Sequence, residues 1–326
     1  MAALERTFEK NLADYTAVEL VVPLECAGMR LDQALARLLP QFSRSRLQQW
    51  IKHRLITLDG HAAESKQKIH GGEALRVAPQ PDPQQTAFRA EEIPLAIIYE
   101  DDTLIVLNKP AGLVVHPGSG NWEGTLLNAL LHHAPHLHEV PRAGIVHRLD
   151  KDTSGLLVVA KTLAAQTNLV RQLQARTVAR EYLALVYGEI RRAGSVDAPL
   201  GRHPTQRTKM AVVPGGKTAV THYTTSENFP GCTLLHCRLE TGRTHQIRVH
   251  LASIGHPLVG DKAYARAGRK APPAVHALLT VFPRQALHAA RLTLEHPHGG
   301  AQMQWQAPLP DDMQTLLEAL RAATCI

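Results

Sequence analysis

Apolar positions recur at Leu31, Leu35, Leu38 and Leu39, the spacing of one helix face, and Pro40 ends the run. A second short helix is predicted after Ser43 or Ser45, either of which can cap it, with Leu47, Trp50 and Ile51 turned inward. LITLDGHAAE then reads as a strand, an Asp59-Gly60 turn and a return strand, and Glu73 to Val77 as a further strand. These elements make one small α/β module over residues 18–78, preceded by a polar start. Residues 79–92 lie in a stretch rich in Pro and Gln without periodicity and read as a linker.

From residue 93 to 326 the pattern changes. Strand-like runs (LAIIYE, TLIVLN, GLLVVAK, EYLALVYGEI, KTAVTHYTT, CTLLHCRLE) alternate with turns. A helix is predicted over Leu163 to Arg176, with Leu163, Val170, Leu173 and Thr177 along its inner side. Gly201 to Gly216 reads as a polar, basic loop, and a last helix carries Met313, Leu316, Leu317 and Leu320. The predicted class is α+β, a mixed and mostly antiparallel central sheet with flanking helices and loops.

The chain of 326 residues has no run near the ~18 apolar residues of a membrane span, and its polar start lacks the apolar region of a secretory signal. No membrane association is expected, and the expected compartment is the cytoplasm. Cys26, Cys232, Cys237 and Cys325 are too few and scattered for a disulfide framework. Cys232 and Cys237 lack the second pair that a zinc site needs.

The net charge of +7 and pI near 9.4 favour a polyanionic partner only weakly. The small module is more telling, with seven basic residues against three acidic ones from Ser43 to Val77. Arg44 and Arg46 open the second helix and Lys52 ends it. With the inner face taken by apolar residues, the two arginines are expected to point outward, where helix N–H groups and cations together suit phosphate. A solvated helix face is the alternative.

GIVHRLDKDTSGLLVVAK, Gly144 to Lys161, is a charged loop feeding a buried strand. Arg148 and Asp150 share one face of an extended chain, and Leu149 between them can anchor the loop in the core. A carboxylate at the edge of an apolar sheet is either a structural ion pair or a tuned catalyst. ETGRTHQIRVHLASIGHPLVGDKAY, Glu240 to Tyr264, is strongly basic through Arg243, Arg248, His245, His250 and His256, and its glycines 242, 255 and 260 permit close backbone approach. HQIRVHLA can begin a helix that delivers Arg248 inward. Tyr182 and Tyr187 sit in AREYLALVYG, apolar on both faces, where a core role competes with a functional one. His147 reads as a loop-positioning residue and Lys109-Pro110 as a structural strand-end turn. His132, His133, His136 and His138 do not form a metal site, because Pro135 breaks the helix that would align them.

Together these motifs resemble the RluA family of pseudouridine synthases, from about Ile93 to the C-terminus. MRLDQALARLLPQFSRSRLQQWIKHRLITLDG resembles the S4 RNA-binding module of its larger members, with Arg54 where many such modules carry glycine. The resemblance implies the pseudouridine synthase catalytic fold and isomerisation of uridines in 23S ribosomal RNA of the large subunit, free or in a subunit precursor. The helix 69 hairpin is the expected target. It assigns Asp150 as the essential aspartate, Arg148 as the residue entering the RNA stack, Tyr182 as the tyrosine under the flipped base, and Arg248 as the aspartate's basic partner. Arg44, Arg46, Lys52 and Arg243 are expected to contact RNA. Isomerisation neither oxidises nor adds a group, so no cofactor and no metal is expected, and no obligate protein partner. The competing readings are a non-catalytic ribosome-assembly factor, a synthase for another ribosomal or transfer RNA site, and a metal-dependent RNA hydrolase.

Overall fold

The computed structural model describes residues 16–80, 88–118, 120–265 and 271–324. The polar start before residue 16, linker residues 81–87 and Cys325 therefore lie outside the described residues. The chain divides into two compact units, Met1–Thr86 and Ala87–Ile326. No described helix is long and apolar enough to cross a membrane.

The first unit runs β1 (Val18–Val21), α1 (Leu31–Leu38), α2 (Arg44–Lys52), β2 (Ile56–Leu58), β3 (His61–Ala62) and β4 (Ala74–Val77), with sheet order β1-β4-β2-β3. Ser43 caps α2 by accepting from the Arg46 N–H. Leu31, Leu35, Leu39, Leu47, Trp50 and Ile51 form the core with the inner side of the sheet, as their spacing predicts. Asp59 and Gly60 both have positive φ, 50° and 76°, the geometry of a two-residue hairpin turn. Arg54 takes φ 58°, so the left-handed turn after α2 forms without glycine.

Arg44 is exposed, as expected, and Arg46 is half-buried, but both guanidinium groups are engaged within the module. Arg44 donates through Nε and Nη2 to Oδ2 of Asp32, at 3.0 and 2.7 Å, beside Arg30 and Gln48 on the same carboxylate. Arg46 lies over the rings of Phe42 and Trp50. The reason is Asp32, fully buried in α1, whose charge must be met from α2. Burial would raise its pKa, but the hydrogen bonds from Arg44, Gln48 and Arg30 outweigh this and lower it to about 2.

The second unit runs β5 (Ile97–Glu100), β6 (Leu104–Lys109), α3 (Leu126–His133), β7 (Ser154–Ala160), α4 (Leu163–Ala175), β8 (Ala179–Tyr187), β9 (Gly194–Asp197), β10 (Leu200–Arg202), β11 (Met210–Val212), β12 (Val220–Phe229), β13 (Cys232–Leu239), α5 (Gln246–Ser253), α6 (Pro273–Val281), β14 (Leu287–Glu295), β15 (Gln302–Gln306) and α7 (Asp311–Thr324). Its nine-stranded sheet has the order β5-β6-β7-β14-β8-β13-β12-β9, with β15 on β14, and only β7 and β14 pair in parallel. Residues 89–91 are tied to α3 through Asn128, which donates to the Arg89 carbonyl and accepts from the Glu91 N–H.

Three elements depart from the sequence pattern. Residues 200–212 form the hairpin β10–β11 rather than a loop, with RHPTQRTKM at its exposed tip. In α4 the buried residues are Ala165 and Leu169, with Leu173 packed beside them, while Leu163 is 59% exposed. The stripe thus follows i, i+4, i+8 from Ala165, and Thr177 falls beyond the left-handed Arg176 that ends the helix. A Cβ on Gly255 would meet nothing within 4 Å, whereas one on Gly260 would lie 1.9 Å from the Arg284 carbonyl oxygen.

The sheet's centre positions the chemistry. Ala289 of β14 pairs with Gly155 on one side and Tyr182 on the other. Gly155 has φ +112°, and a Cβ there would stand 2.3 Å from the Ala289 carbonyl oxygen. Only glycine lets β7 approach β14 this closely, and that approach sets the loop before β7 beside the middle of β8.

Candidate active site

The loop carrying Asp150 is held along its length. Arg142, Ala143 and Gly144 take positive φ in succession (56°, 49° and 75°). A Cβ on Gly144 would stand 1.8 Å from the Ala160 carbonyl oxygen, so the turn lies directly on β7. His147 accepts from the Val158 N–H at 3.2 Å, and burial pushes its pKa down to about 3, so it is a neutral strut. Leu149 is buried in the core while Arg148 beside it is exposed.

Beyond Asp150, Lys109 donates from Nζ to the carbonyls of Pro110, Leu113 and Lys151 at 2.7, 2.9 and 3.0 Å. Burial pushes its pKa down to about 7 against the pull of Asp152 and Asp150, and three carbonyl acceptors match the three N–H groups of an ammonium. Arg284, itself gripped by Asp312, donates to the Asp152 carbonyl at 3.0 Å, and Gln285 donates to the Thr153 hydroxyl.

Opposite this loop stands α5. Gln246 in its first turn accepts from Thr241 Oγ1 and the Arg243 N–H and donates to Val220 and Thr221 of β12, which fixes the helix and the loop before it. Arg248 then points inward, 7% exposed. Its Nη1 donates to Asp150 Oδ2 at 2.9 Å, and its Nε and Nη2 make a fork on Asp261 at 2.7 and 2.9 Å. Burial opposes its charge, but Asp261 and Asp150 outweigh this and raise its pKa. The other oxygen of Asp150, Oδ1, has His245 Nε2 at 3.9 Å. Tyr264 accepts from the Met210 N–H at 2.9 Å and shares a hydrogen bond with His245 Nδ1 at 2.8 Å. Burial lowers the His245 pKa against the pull of Asp150, in keeping with a neutral ring.

Tyr182, 6% exposed, lies on β8 with Ala289 and Cys237 as its strand neighbours. Burial raises its phenol pKa, with Arg180 lowering and Asp150 raising it, so the ring is a neutral phenol at pH 7. The assembly is a carboxylate with one oxygen clamped by Arg248 and the other 3.9 Å from His245, a guanidinium locked from behind, and an aromatic alcohol nearby. It can start covalent or proton-transfer chemistry; among the described residues no group of three or more His, Cys, Asp or Glu side chains could hold a metal ion. Cys232 and Cys237 pack in different clusters of the core, and burial pushes both thiols up to about 12, so neither acts as a thiolate.

The sequence profile of RNA pseudouridylate synthases matches residues 103–253 and that of the S4 domain residues 29–75. A protein of Nitrosomonas europaea named ribosomal large subunit pseudouridine synthase D is 62% identical over 305 residues, 93% of this chain and 88% of its own length. The chain belongs to the RNA pseudouridylate synthase family. A second synthase D, of Haemophilus influenzae, is 55% identical over 91% of this chain and 93% of its own length. The solved structure of human RNA pseudouridylate synthase domain containing 4 superposes with a TM-score of 0.56 at 26% identity, covering 69% of this chain and 93% of that one.

In this synthase Asp150 and Arg248 are in direct contact and Tyr182 feels the Asp150 charge. Arg148 flanks Asp150 on the exposed side of the loop. Arg243 is exposed on the loop before α5, its Nε donating to the Thr218 carbonyl at 3.1 Å. Lys52 is exposed at the end of α2 in the other unit. Sequence reasoning assigned no role to Asp261, Tyr264 and His245, although all three lie in the quoted basic block. The signal for Asp261 was present: Arg248 stands between Ile247 and Val249 on a helix whose residues are turned inward, and a buried arginine calls for a carboxylate that takes its fork.

Proposed function

We propose that this synthase converts specific uridines of large-subunit ribosomal RNA to pseudouridine, in the helix 69 hairpin, acting in the cytoplasm on free RNA or on a subunit precursor. The observation that carries this reading is Asp150, clamped on one oxygen by Arg248 with His245 3.9 Å from the other. The names of the relatives support the large-subunit substrate, and the S4 match supports RNA as the partner.

The reaction breaks the N1–C1′ bond, turns the uracil and joins C5 to C1′. The base must first leave its stack, at a cost of a few kcal/mol. Arg148, exposed beside Asp150, is suited to fill the vacated space by stacking and phosphate contact, offsetting part of that cost. Each route by which Asp150 can act, at C1′, at C6 or on the 2′ proton, requires the ionised carboxylate, and Arg248 balances that charge. Tyr182 presents a π-face to the uracil, and its phenol can assist removal of the C5 proton. Arg243 and Lys52 are exposed cations suited to backbone phosphates, and Arg44 and Arg46 contribute positive potential while bound within their module.

The test is pseudouridine mapping of large-subunit RNA from cells with and without the protein, with tritium release from labelled RNA by the purified enzyme. Loss of specific helix 69 pseudouridines without the protein is expected. An unchanged map would overturn the substrate, and RNA binding without release would favour an assembly factor.

A further inference from the structure

Arg180 is 6% exposed on β8, two residues before Tyr182 and so on the same side of the strand. Among the described residues its side chain has no hydrogen bond and no ion pair, and its Nε is a buried atom with no partner. The terminal nitrogens are not sealed in the same way, so the guanidinium keeps one open edge. A Cβ on Gly242 would come within 2.5 Å of Nη1, which places that edge against the Gly242–Arg243 turn. Its charge is felt by Tyr182 and by His147.

The neighbouring carboxylates are all engaged elsewhere. Glu181 holds His236 and Arg291, Glu240 holds His222 and Arg176, and Asp150 holds Arg248. A buried cation without a counter-charge is costly and persists where something else supplies the anion. We propose that Arg180 is a substrate-binding residue that receives a backbone phosphate of the target strand on its open edge. A uracil carbonyl would leave the full positive charge unneutralised; a phosphate neutralises it and fits the planar fork. With Arg243 on the adjoining turn, the phosphate would be gripped on the Tyr182 side of the site, so that strand placement and base placement are set by one strand of the sheet.

The proposal rests on RNA isomerisation as the reaction, so wild-type turnover on a large-subunit RNA fragment is measured first. Binding of that fragment is then compared for Asp150→Asn and Asp150→Asn/Arg180→Met across a salt series, the first substitution preventing turnover. Arg180→Met is expected to leave the thermal midpoint of the free protein unchanged or higher, since it removes an unpaired buried charge. Affinity should fall at least tenfold, and the slope of log affinity against log salt should fall by about 0.7, the value for one phosphate on a single strand. Arg180→Lys should restore the slope but only part of the affinity. If Arg180→Met does not fold, Arg180→Gln is read by the same slope. Turnover with an unchanged slope overturns the phosphate contact alone. No wild-type turnover overturns the functional reading and this proposal with it.

Discussion

Arg248 serves two carboxylates at once, a fork on Asp261 and a single bond on Asp150. The fork sets the direction of the guanidinium, and the remaining nitrogen orients the aspartate. Arg248→Met would leave Asp261 buried and unpaired, so it should abolish turnover and destabilise the protein by about 3–5 kcal/mol, read from thermal and urea unfolding. Asp261→Asn weakens the fork but leaves Asp150 in place. It should lower kcat by about tenfold or more with KM little changed, because it disturbs the orientation of the reacting group and not the RNA contacts. Asp150→Asn should bind RNA normally and form no pseudouridine. Tyr182→Phe should bind as well as wild type and turn over more slowly if the phenol moves a proton; an equal rate would confine Tyr182 to stacking.

Elements hold the site through close backbone contacts. Gly155→Ala pushes a methyl group toward the Ala289 carbonyl and demands a φ of +112° from alanine. It should cost about 2 kcal/mol or more and move the Asp150 loop, so unfolding and activity should suffer together. Lys109→Met would strip the donor from three carbonyls gathered around a fully buried side chain and should reduce both stability and kcat. In the small module the test is pH. The Asp32 pKa is about 2 in the folded state, below the ordinary carboxylate value, so its contacts stabilise fully above about pH 4. That stability is lost as pH falls from about 4 through 2. Amide exchange in residues 18–78 should speed up over this window in the wild type and respond less in Asp32→Asn. Periodicity located α1, α2 and the last helix correctly because each has a single apolar stripe. It misplaced the stripe of α4 because apolar and polar residues there are mixed around the helix. It missed β10–β11 because a hairpin of mostly exposed residues carries no apolar alternation.

For the whole molecule the net charge of +7 implies that RNA binding is strongly salt-dependent. Affinity for the substrate RNA should fall by more than about tenfold between 50 and 200 mM salt, measured by filter binding or anisotropy. A flat response would mean that the basic residues do not meet phosphate. The sequence by itself determined the α+β class and the two kinds of unit, because local periodicity is written along the chain, and its resemblance to a family pointed to Asp150, Tyr182 and Arg248 as candidate site residues. What only the tertiary structure decided are contacts between distant segments: Asp261 behind Arg248, Tyr264 behind His245, Lys109 under the Asp150 loop, Arg44 on Asp32. Each depends on which charges burial brings together, and burial is a property of the packed sheet, not of any stretch of sequence.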